Sequence, residues 1–298
     1  MRVVVSGGTG FIGREVVSRL LEEGCEVTVT TRYPERPGPW AGRVRKVQAF
    51  AGDAVSLGKA YTGAEVVVHA IQFPNHPVED PSKGRTYMEV DGRGTRTAAG
   101  VARKLGVRRF VYLSGAGAGQ NRPQPWFQAK DLAEAAIRET GMEYGILRPS
   151  WIYGPGDRSM NRFVWFCRHL PAVPVIGDGR TAVYPAHVKD VARAAAILAR
   201  REDARDKVLD VGGPQRLTMD QVVHTIQEVL GRRRPLIHHP PGLMKVLVRP
   251  LALLPDPPLS PGAIDFITET VEIDPRPAME YLLFDFRSLR VGLDEYVR

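Results

Sequence analysis

Cysteine is almost missing: Cys25 and Cys167 are the two in the chain, far apart and each in an apolar context. A disulfide framework or a cysteine-based zinc site is thereby excluded. The histidines His69, His187, His238 and His239 show no metal-ligand spacing, so structural roles are expected for them. No apolar run reaches the ~18 residues that a membrane span requires. Internal repeats and low-complexity tracts are absent too. The chain enters a strand at its first residues, so no signal or transit peptide and a cytoplasmic protein are expected. Acidic residues are outnumbered, 33 against 41 Lys and Arg, for a net charge of +8. The tightest basic clusters, Arg43 to Lys46 and Arg232-Arg233-Arg234, fall on a strand entry and a helix end. They read as solvated faces or complements to a helix dipole, and no nucleic-acid partner is expected. Hydrophobic content of 43% over 298 residues is ample for a full α/β core.

What the sequence does have is a glycine loop in the right context. Ser6-Gly7-Gly8-Thr9-Gly10-Phe11-Ile12-Gly13 follows the apolar run Val3-Val4-Val5 and opens a helix with Val16, Val17, Leu20 and Leu21 on one face. Gly24 ends that helix and Glu26 to Thr30 reads as a second strand. Strand, glycine turn and helix start together form a seat for a dinucleotide pyrophosphate. Glycine permits close backbone approach, and the helix start offers free N–H groups and a positive dipole end. Strands and helices alternate to about residue 150, as a parallel sheet demands. Lys83 to Leu105 and Lys130 to Thr140 read as helices, with Gly115 to Pro125 a mobile loop over the site between them. Further on, Asn161 to Leu170 reads as a helix and Lys207 to Val211 as a strand. Thr218-Met219-Asp220-Gln221 forms a capping box for a helix with Val222, Val223 and Ile226 on its core face.

The spacing Gly7-x-x-Gly10-x-x-Gly13 resembles the extended short-chain dehydrogenase/reductase superfamily, the group of epimerases and dehydratases that use NAD. Gly52-Asp53 resembles its adenine-contacting pair, and Val66 to Ile71 and Arg109 to Ser114 resemble its fourth and fifth strands. Leu147 to Asp157 resembles the segment leaving the sixth. The resemblance implies an α/β fold, a Rossmann-type doubly wound parallel sheet with a smaller, mostly helical C-terminal substrate lobe. Residues 1–155 would form the dinucleotide domain, with 185–214 returning to it, and 156–184 with 215–298 the smaller lobe. It further implies cofactor contacts from Gly7, Thr9, Gly10, Phe11, Ile12, Gly13, Asp53, Ala54, Ala70, Ile71, Ser114, Lys130 and Pro149.

The end of the second strand bears on which dinucleotide. Thr30-Thr31-Arg32 carries no carboxylate for a ribose 2′-hydroxyl, and none follows until Glu35. An arginine fork would instead bind a 2′-phosphate, so Arg32 points to NADP(H), helped by Thr9 and Arg36, with NAD(H) the alternative.

The superfamily's chemistry resembles Tyr-x-x-x-Lys with an upstream serine, and here the pattern fails twice. Lys130 stands in place, but Trp126 occupies the tyrosine position and Ala116 the serine position. An indole N–H donates a hydrogen bond yet does not ionise near neutral pH. Positioned acid–base groups contribute ~10²–10⁴ in rate, so their loss disfavours ordinary turnover. Lys130 would survive for ribose binding, or act alone as in the isoflavone-reductase-like branch. Tyr153 is a candidate substitute phenol.

The full length, including the proline-rich Leu254 to Pro261 and the tail Arg287 to Tyr296, resembles an atypical branch similar to the nucleotide-binding accessory subunit of respiratory complex I. That resemblance implies structural or regulatory binding of NADP(H) with weak or no reductase activity. The alternative is an active reductase or sugar-nucleotide epimerase or dehydratase centred on Lys130. Beyond the dinucleotide, the partner is either a small-molecule substrate or a protein or quinone-related partner. Leu243 to Leu254, interrupted by Pro250, reads either as a helix buried in the small lobe or as a peripheral foot at the inner face of a membrane.

Overall fold

The computed structural model describes residues 1–40, 42–254 and 257–297, the side chains of 252 and 253 excepted. The first half alternates β1 (Arg2–Ser6), α1 (Phe11–Glu22), β2 (Glu26–Thr31), β3 (Val44–Gln48), α2 (Ala54–Tyr61), β4 (Val66–His69), α3 (Thr95–Lys104), β5 (Arg109–Leu113), α4 (Pro125–Glu139) and β6 (Glu143–Pro149). The second half holds β7 (Ile152–Tyr153), α5 (Ser159–His169), β8 (Val173–Ile176), β9 (Ala182–Val183), β10 (Ala186–His187), α6 (Val188–Arg200), β11 (Lys207–Val211), β12 (Leu217–Thr218), α7 (Met219–Val229) and β13 (Leu236–His239). Four short helices follow, α8 (Pro241–Val248), α9 (Pro261–Thr268), α10 (Arg276–Leu282) and α11 (Leu289–Asp294).

Seven parallel strands form one sheet in the order β11-β6-β5-β4-β1-β2-β3. Alternate strand residues serve opposite faces. Val3, Val5, Val27 and Val29 pack with Val16, Val17 and Leu20 of α1 and with the alanine-rich face of α6. Val4, Val67, Phe110 and Tyr112 pack with Leu57, Ala98, Ala102, Ala133 and Ile137 from α2, α3 and α4. A parallel sheet covered on both sides needs this two-faced apolar content. The strand order reverses between β1 and β4, the switch point at whose carboxyl ends open α/β sheets bind their ligands. Register aligns Ser6 with His69, and His69 with Tyr112, at that edge.

A second core joins α5, α7 and α11 through Met160, Val164, Cys167, Val222, Ile226 and Leu293. The Thr218–Gln221 capping box is formed in both directions. The helix expected over Lys83 to Leu105 is not continuous. A 3-10 turn, Pro81–Lys83, is followed by a π-helical segment, Tyr87–Gly94, that runs into α3. Within Leu243 to Leu254, α8 does not bury its apolar residues: Leu243, Val246 and Leu247 are each more than half exposed. Only Val248 of that helix is turned inward. Part of the proline-rich segment, residues 255 and 256, lies outside the described residues. Among the described residues no helix is long and apolar enough to cross a membrane.

Candidate functional site

The glycine loop closes on itself before α1 begins. The Gly10 amide donates to the Gly7 carbonyl at 2.9 Å. Gly7 has φ +78°, and a Cβ there would lie 2.7 Å from the Ala70 carbonyl oxygen. A Cβ on Gly13 would lie 2.2 Å from the Gly7 carbonyl oxygen, so glycine is compulsory for the helix to pack on the turn. Gly10 differs: its φ of −74° suits any residue, and the Gly7 oxygen at 3.1 Å is the one atom a Cβ would press. The space before it is open. Gly10 caps α1 without a side chain, and the first turn carries no acidic residue. The amides of Phe11, Ile12 and Gly13 thus start a helix with no built-in anion, which fits a phosphate.

Ala70 and Ile71 reach the loop because β4 runs parallel beside β1. The Ala70 amide donates to the Ser6 carbonyl at 2.9 Å, and an Ile71 side-chain carbon lies 3.2 Å from where a Gly7 Cβ would be. At the end of β2, the Thr31 hydroxyl accepts from the Tyr33 amide at 3.2 Å and stands 3.5 Å from the exposed Thr9 hydroxyl. Arg32 and Arg36 flank the Tyr33 ring, their guanidinium carbons 5.7 and 4.1 Å from its centre. Among the described residues no carboxylate pairs with Arg32.

Asp53 caps α2, accepting from the amides of Val55 and Ser56 at 3.2 Å each. The Ser56 contact and these amides hold its carboxyl below the usual range. Ala54 is the first residue of that helix. Ser114 does not present its hydroxyl to the loop. It donates to buried Glu134 at 2.7 Å, which also accepts from Arg148 at 2.8 and 2.6 Å. The Pro149 carbonyl accepts from the Ala116 amide at 2.9 Å.

Tyr153 belongs elsewhere. It is fully buried in the second core, its hydroxyl donating to the carbonyls of Ser288 and Leu289 at 3.3 and 3.4 Å. A phenol tied to two backbone carbonyls anchors the C-terminal segment, so a substitute for the missing catalytic tyrosine is not found there.

Lys130 is not free either. Its Nζ donates to Asp91 Oδ1 at 2.8 Å and lies 5.2 Å from the centre of the Tyr112 ring. Asp91 is completely buried and Lys130 nearly so. Burial works against the ammonium, yet the Asp91 carboxylate outweighs it and holds the Lys130 pKa above its ordinary value. Burial pushes Asp91 up, with Lys130 opposing. Asp91 Oδ2, the Thr95 and Tyr112 hydroxyls and both His69 ring nitrogens are buried without a partner around this pair. Burial, with the Lys130 charge adding, pushes His69 down to about 3, so its imidazole is neutral.

Sequence reasoning missed Asp91, and a signal for it existed. Tyr87, Asp91, Gly94, Ala98 and Ala102 recur at helical spacing on one buried face, and Asp91 is the single charge among them. Four residues before Asp91, Tyr87 is 3% exposed with its hydroxyl unpartnered. Burial, then the charges of Asp91 and Glu79, push its pKa well up. The Tyr87 ring belongs to an aromatic cluster at the position of the missing phenol. Trp126 lies 6.0 Å from Tyr87, 5.5 Å from Phe127 and 5.3 Å from Phe266 of α9. His76 stands edge-on to Tyr87 at 5.3 Å and to Phe266 at 5.0 Å.

Known proteins resemble this chain in sequence and in fold. A family model described as NAD(P)H-binding matches residues 7–164, and one for the NAD-dependent epimerase/dehydratase family matches residues 126–212. The alpha subcomplex subunit 9 of mitochondrial NADH dehydrogenase [ubiquinone] 1 from Arabidopsis thaliana is 27% identical over 255 residues, covering 83% of this chain and 62% of that protein. A ceramide reductase from Caulobacter vibrioides is 28% identical over 247 residues, covering 81% and 75%. The chain therefore spans about six-tenths of the length of the mitochondrial subunits it matches. In fold it resembles the UDP-glucose 4-epimerase of Thermus thermophilus, solved as a complex with NAD, with a TM-score of 0.75 and 22% identity over 100% of this chain and 98% of that one.

Proposed function

The chain belongs to the NAD(P)H-binding, epimerase/dehydratase-type family of extended short-chain dehydrogenase/reductases, and we propose that it works by holding NADP(H) as a structural or regulatory ligand, with weak or no ordinary reductase turnover. The observation that carries this reading is the buried Asp91–Lys130 pair at 2.8 Å beside Trp126. In a working Tyr-x-x-x-Lys site the lysine charge lowers a phenol pKa. Here that charge is met by Asp91, the phenol position holds an indole, and the nearest unpartnered phenols, Tyr87 and Tyr112, are both pushed up by burial. Burial keeps both phenols protonated at neutral pH, outweighing the lowering that the Lys130 charge exerts on Tyr112.

In this reading the amides of Phe11, Ile12 and Gly13 take the pyrophosphate, Arg32 with Thr9 and Arg36 takes the 2′-phosphate, and Lys130 takes the nicotinamide ribose. NADPH, when bound, would supply a hydride. The chain's own residues bind and orient the nucleotide without supplying the matching proton. The relatives named as NADH dehydrogenase subunits support a place as accessory partner of a larger redox assembly. The outward apolar face of α8, with exposed Arg249 beside it, supports peripheral contact at the inner, cytoplasmic face of a membrane.

The test is the purified protein mixed with NADPH and simple carbonyl, enoyl and quinone acceptors. Oxidation far below 1 s⁻¹ is expected. Turnover of about 1 s⁻¹ or faster that vanishes in Lys130→Ala would overturn the reading in favour of lysine-centred catalysis.

A further inference from the structure

From the aromatic cluster beside Lys130 we infer that this chain's second ligand is a flat apolar ring carrying a hydrogen-bond acceptor, bound where the Phe266 side chain now lies. The inference rests on the reading of the neighbouring loop as the dinucleotide site, and names what the adjoining aromatic cluster takes in place of the Phe266 ring. Its walls are Phe73, Tyr87, Trp126, Phe127 and Ala129, all buried, with Val90, Phe266 and Val271 packed against them. Sugar nucleotides bring a charged diphosphate and many hydroxyls, and these walls offer neither a free cation nor a set of polar partners. Arg122, on the covering loop, has its Nη2 committed, while its Nη1 is buried without a partner. Nη2 pairs with Glu269 at 3.1 Å and donates to the Thr270 carbonyl at 3.4 Å, and the guanidinium lies over the Phe127 ring at 4.7 Å.

Phe266 shows what the walls accept. It is a ring delivered from the C-terminal lobe, edge-on to Trp126 at 5.3 Å and 82°, edge-on to His76 at 5.0 Å and 87°, and stacked on Tyr87 at 6.1 Å and 29°. Edge and face contacts of this kind are the preferred arrangements of aromatic pairs. A ligand ring in that place would keep them. The benzyl group leaves one thing undone: the Tyr87 hydroxyl is buried and has no partner. A buried hydroxyl without a partner costs free energy, so a ligand that supplies one is favoured over one that does not. Burial and the charges of Asp91 and Glu79 keep this phenol protonated. It is thus able to donate, and a ligand carbonyl or ether oxygen would satisfy it.

Phe266 is partly exposed, on an eight-residue helix tied down at its end by the Arg122–Glu269 pair. Removing its side chain empties the ligand position without touching the glycine loop or Lys130.

The probe is 2-acetylnaphthalene, titrated calorimetrically into NADPH-loaded protein, with naphthalene and UDP-glucose as controls and NADPH affinity measured on every variant. Expected are binding of 2-acetylnaphthalene to the unmodified protein, severalfold tighter binding to Phe266→Ala, and weakening by roughly tenfold in Tyr87→Phe. Naphthalene should be indifferent to Tyr87→Phe, and UDP-glucose should give no heat. No binding of 2-acetylnaphthalene to either the unmodified protein or Phe266→Ala, with NADPH affinity intact, overturns the inference and leaves the dinucleotide reading standing. Equal affinity in Tyr87→Phe overturns the acceptor requirement, and binding of UDP-glucose overturns the ligand class. Failure of NADPH to bind the unmodified protein would instead count against the dinucleotide reading itself.

Discussion

Arg32→Ala isolates the choice between the two dinucleotides. Arg32 follows the last residue of β2, is exposed, and rests its guanidinium 5.7 Å from the centre of the Tyr33 ring. Tyr33 is itself held by a bond from its amide to the Thr31 hydroxyl. The fork is thus anchored by a ring but not neutralised by a carboxylate, and it is available to a 2′-phosphate. A charge-assisted hydrogen bond contributes about 1.5–3 kcal/mol. At an exposed site water and salt screen it, so the lower end applies. The expected loss of NADPH affinity is roughly tenfold, with NADH affinity unchanged because NADH carries no phosphate there. Fluorescence titration of both nucleotides at two ionic strengths measures this, and the NADPH advantage should shrink in higher salt. Equal affinities in the unmodified protein, or an Arg32→Ala variant that keeps its preference, would refute the assignment.

Gly10→Val should fold normally and lose nucleotide binding, since its backbone angles tolerate a side chain and its open side is the proposed phosphate seat; melting temperature and calorimetric titration separate the two effects. Gly13→Val should fail the other way, losing stability even without nucleotide, because its Cβ would lie 2.2 Å from the Gly7 carbonyl oxygen. Asp91→Ala leaves the Lys130 ammonium buried and unpaired, and denaturant unfolding should register a loss of about 3–5 kcal/mol, with the double change Asp91→Leu, Lys130→Met costing less. Glu134 bears on pH: burial alone would raise its carboxyl, but Arg148 and Ser114 win and hold it below its ordinary value of 4.5. Its stabilising contribution is complete above that value and is lost as pH falls through the depressed one, so Glu134→Gln should cost stability at pH 7 and flatten the acid limb of the unfolding curve.

The glycine loop was legible in the sequence because each of its requirements is local. A strand, a turn with positive φ at Gly7 and a helix packed on that turn at Gly13 involve neighbours within a few residues. Ala70 and Ile71 came with it, since a parallel pairing of β4 to β1 carries them to the loop wherever the fold forms. Legibility failed where the partner comes from far along the chain. Tyr153 looked available because nothing near it in sequence takes its hydroxyl; the carbonyls that do so are those of Ser288 and Leu289. The Leu243 to Leu254 stretch read either as a buried helix or as a peripheral foot, and α8 sets Leu243, Val246 and Leu247 outward. Hydrophobicity alone does not say which face of a short helix finds a neighbour.

Asp91 is the most consequential of these long-range partners, because it changes how Trp126 and Ala116 should be weighed. Read along the chain, those two residues are separate losses from a catalytic pattern that Lys130 otherwise preserves. In the fold, Lys130 is no longer the same group: its charge is paired at 2.8 Å with a carboxylate 39 residues earlier, in a site shielded from water. A phenol placed at 126 would face an ion pair, whose field falls off faster than that of a lone ammonium and does less to stabilise a phenolate. The indole, the missing hydroxyl and the buried carboxylate are therefore one electrostatic condition. A site in that condition keeps a cation while burial holds the nearby phenols protonated, which is what the proposed binding role requires.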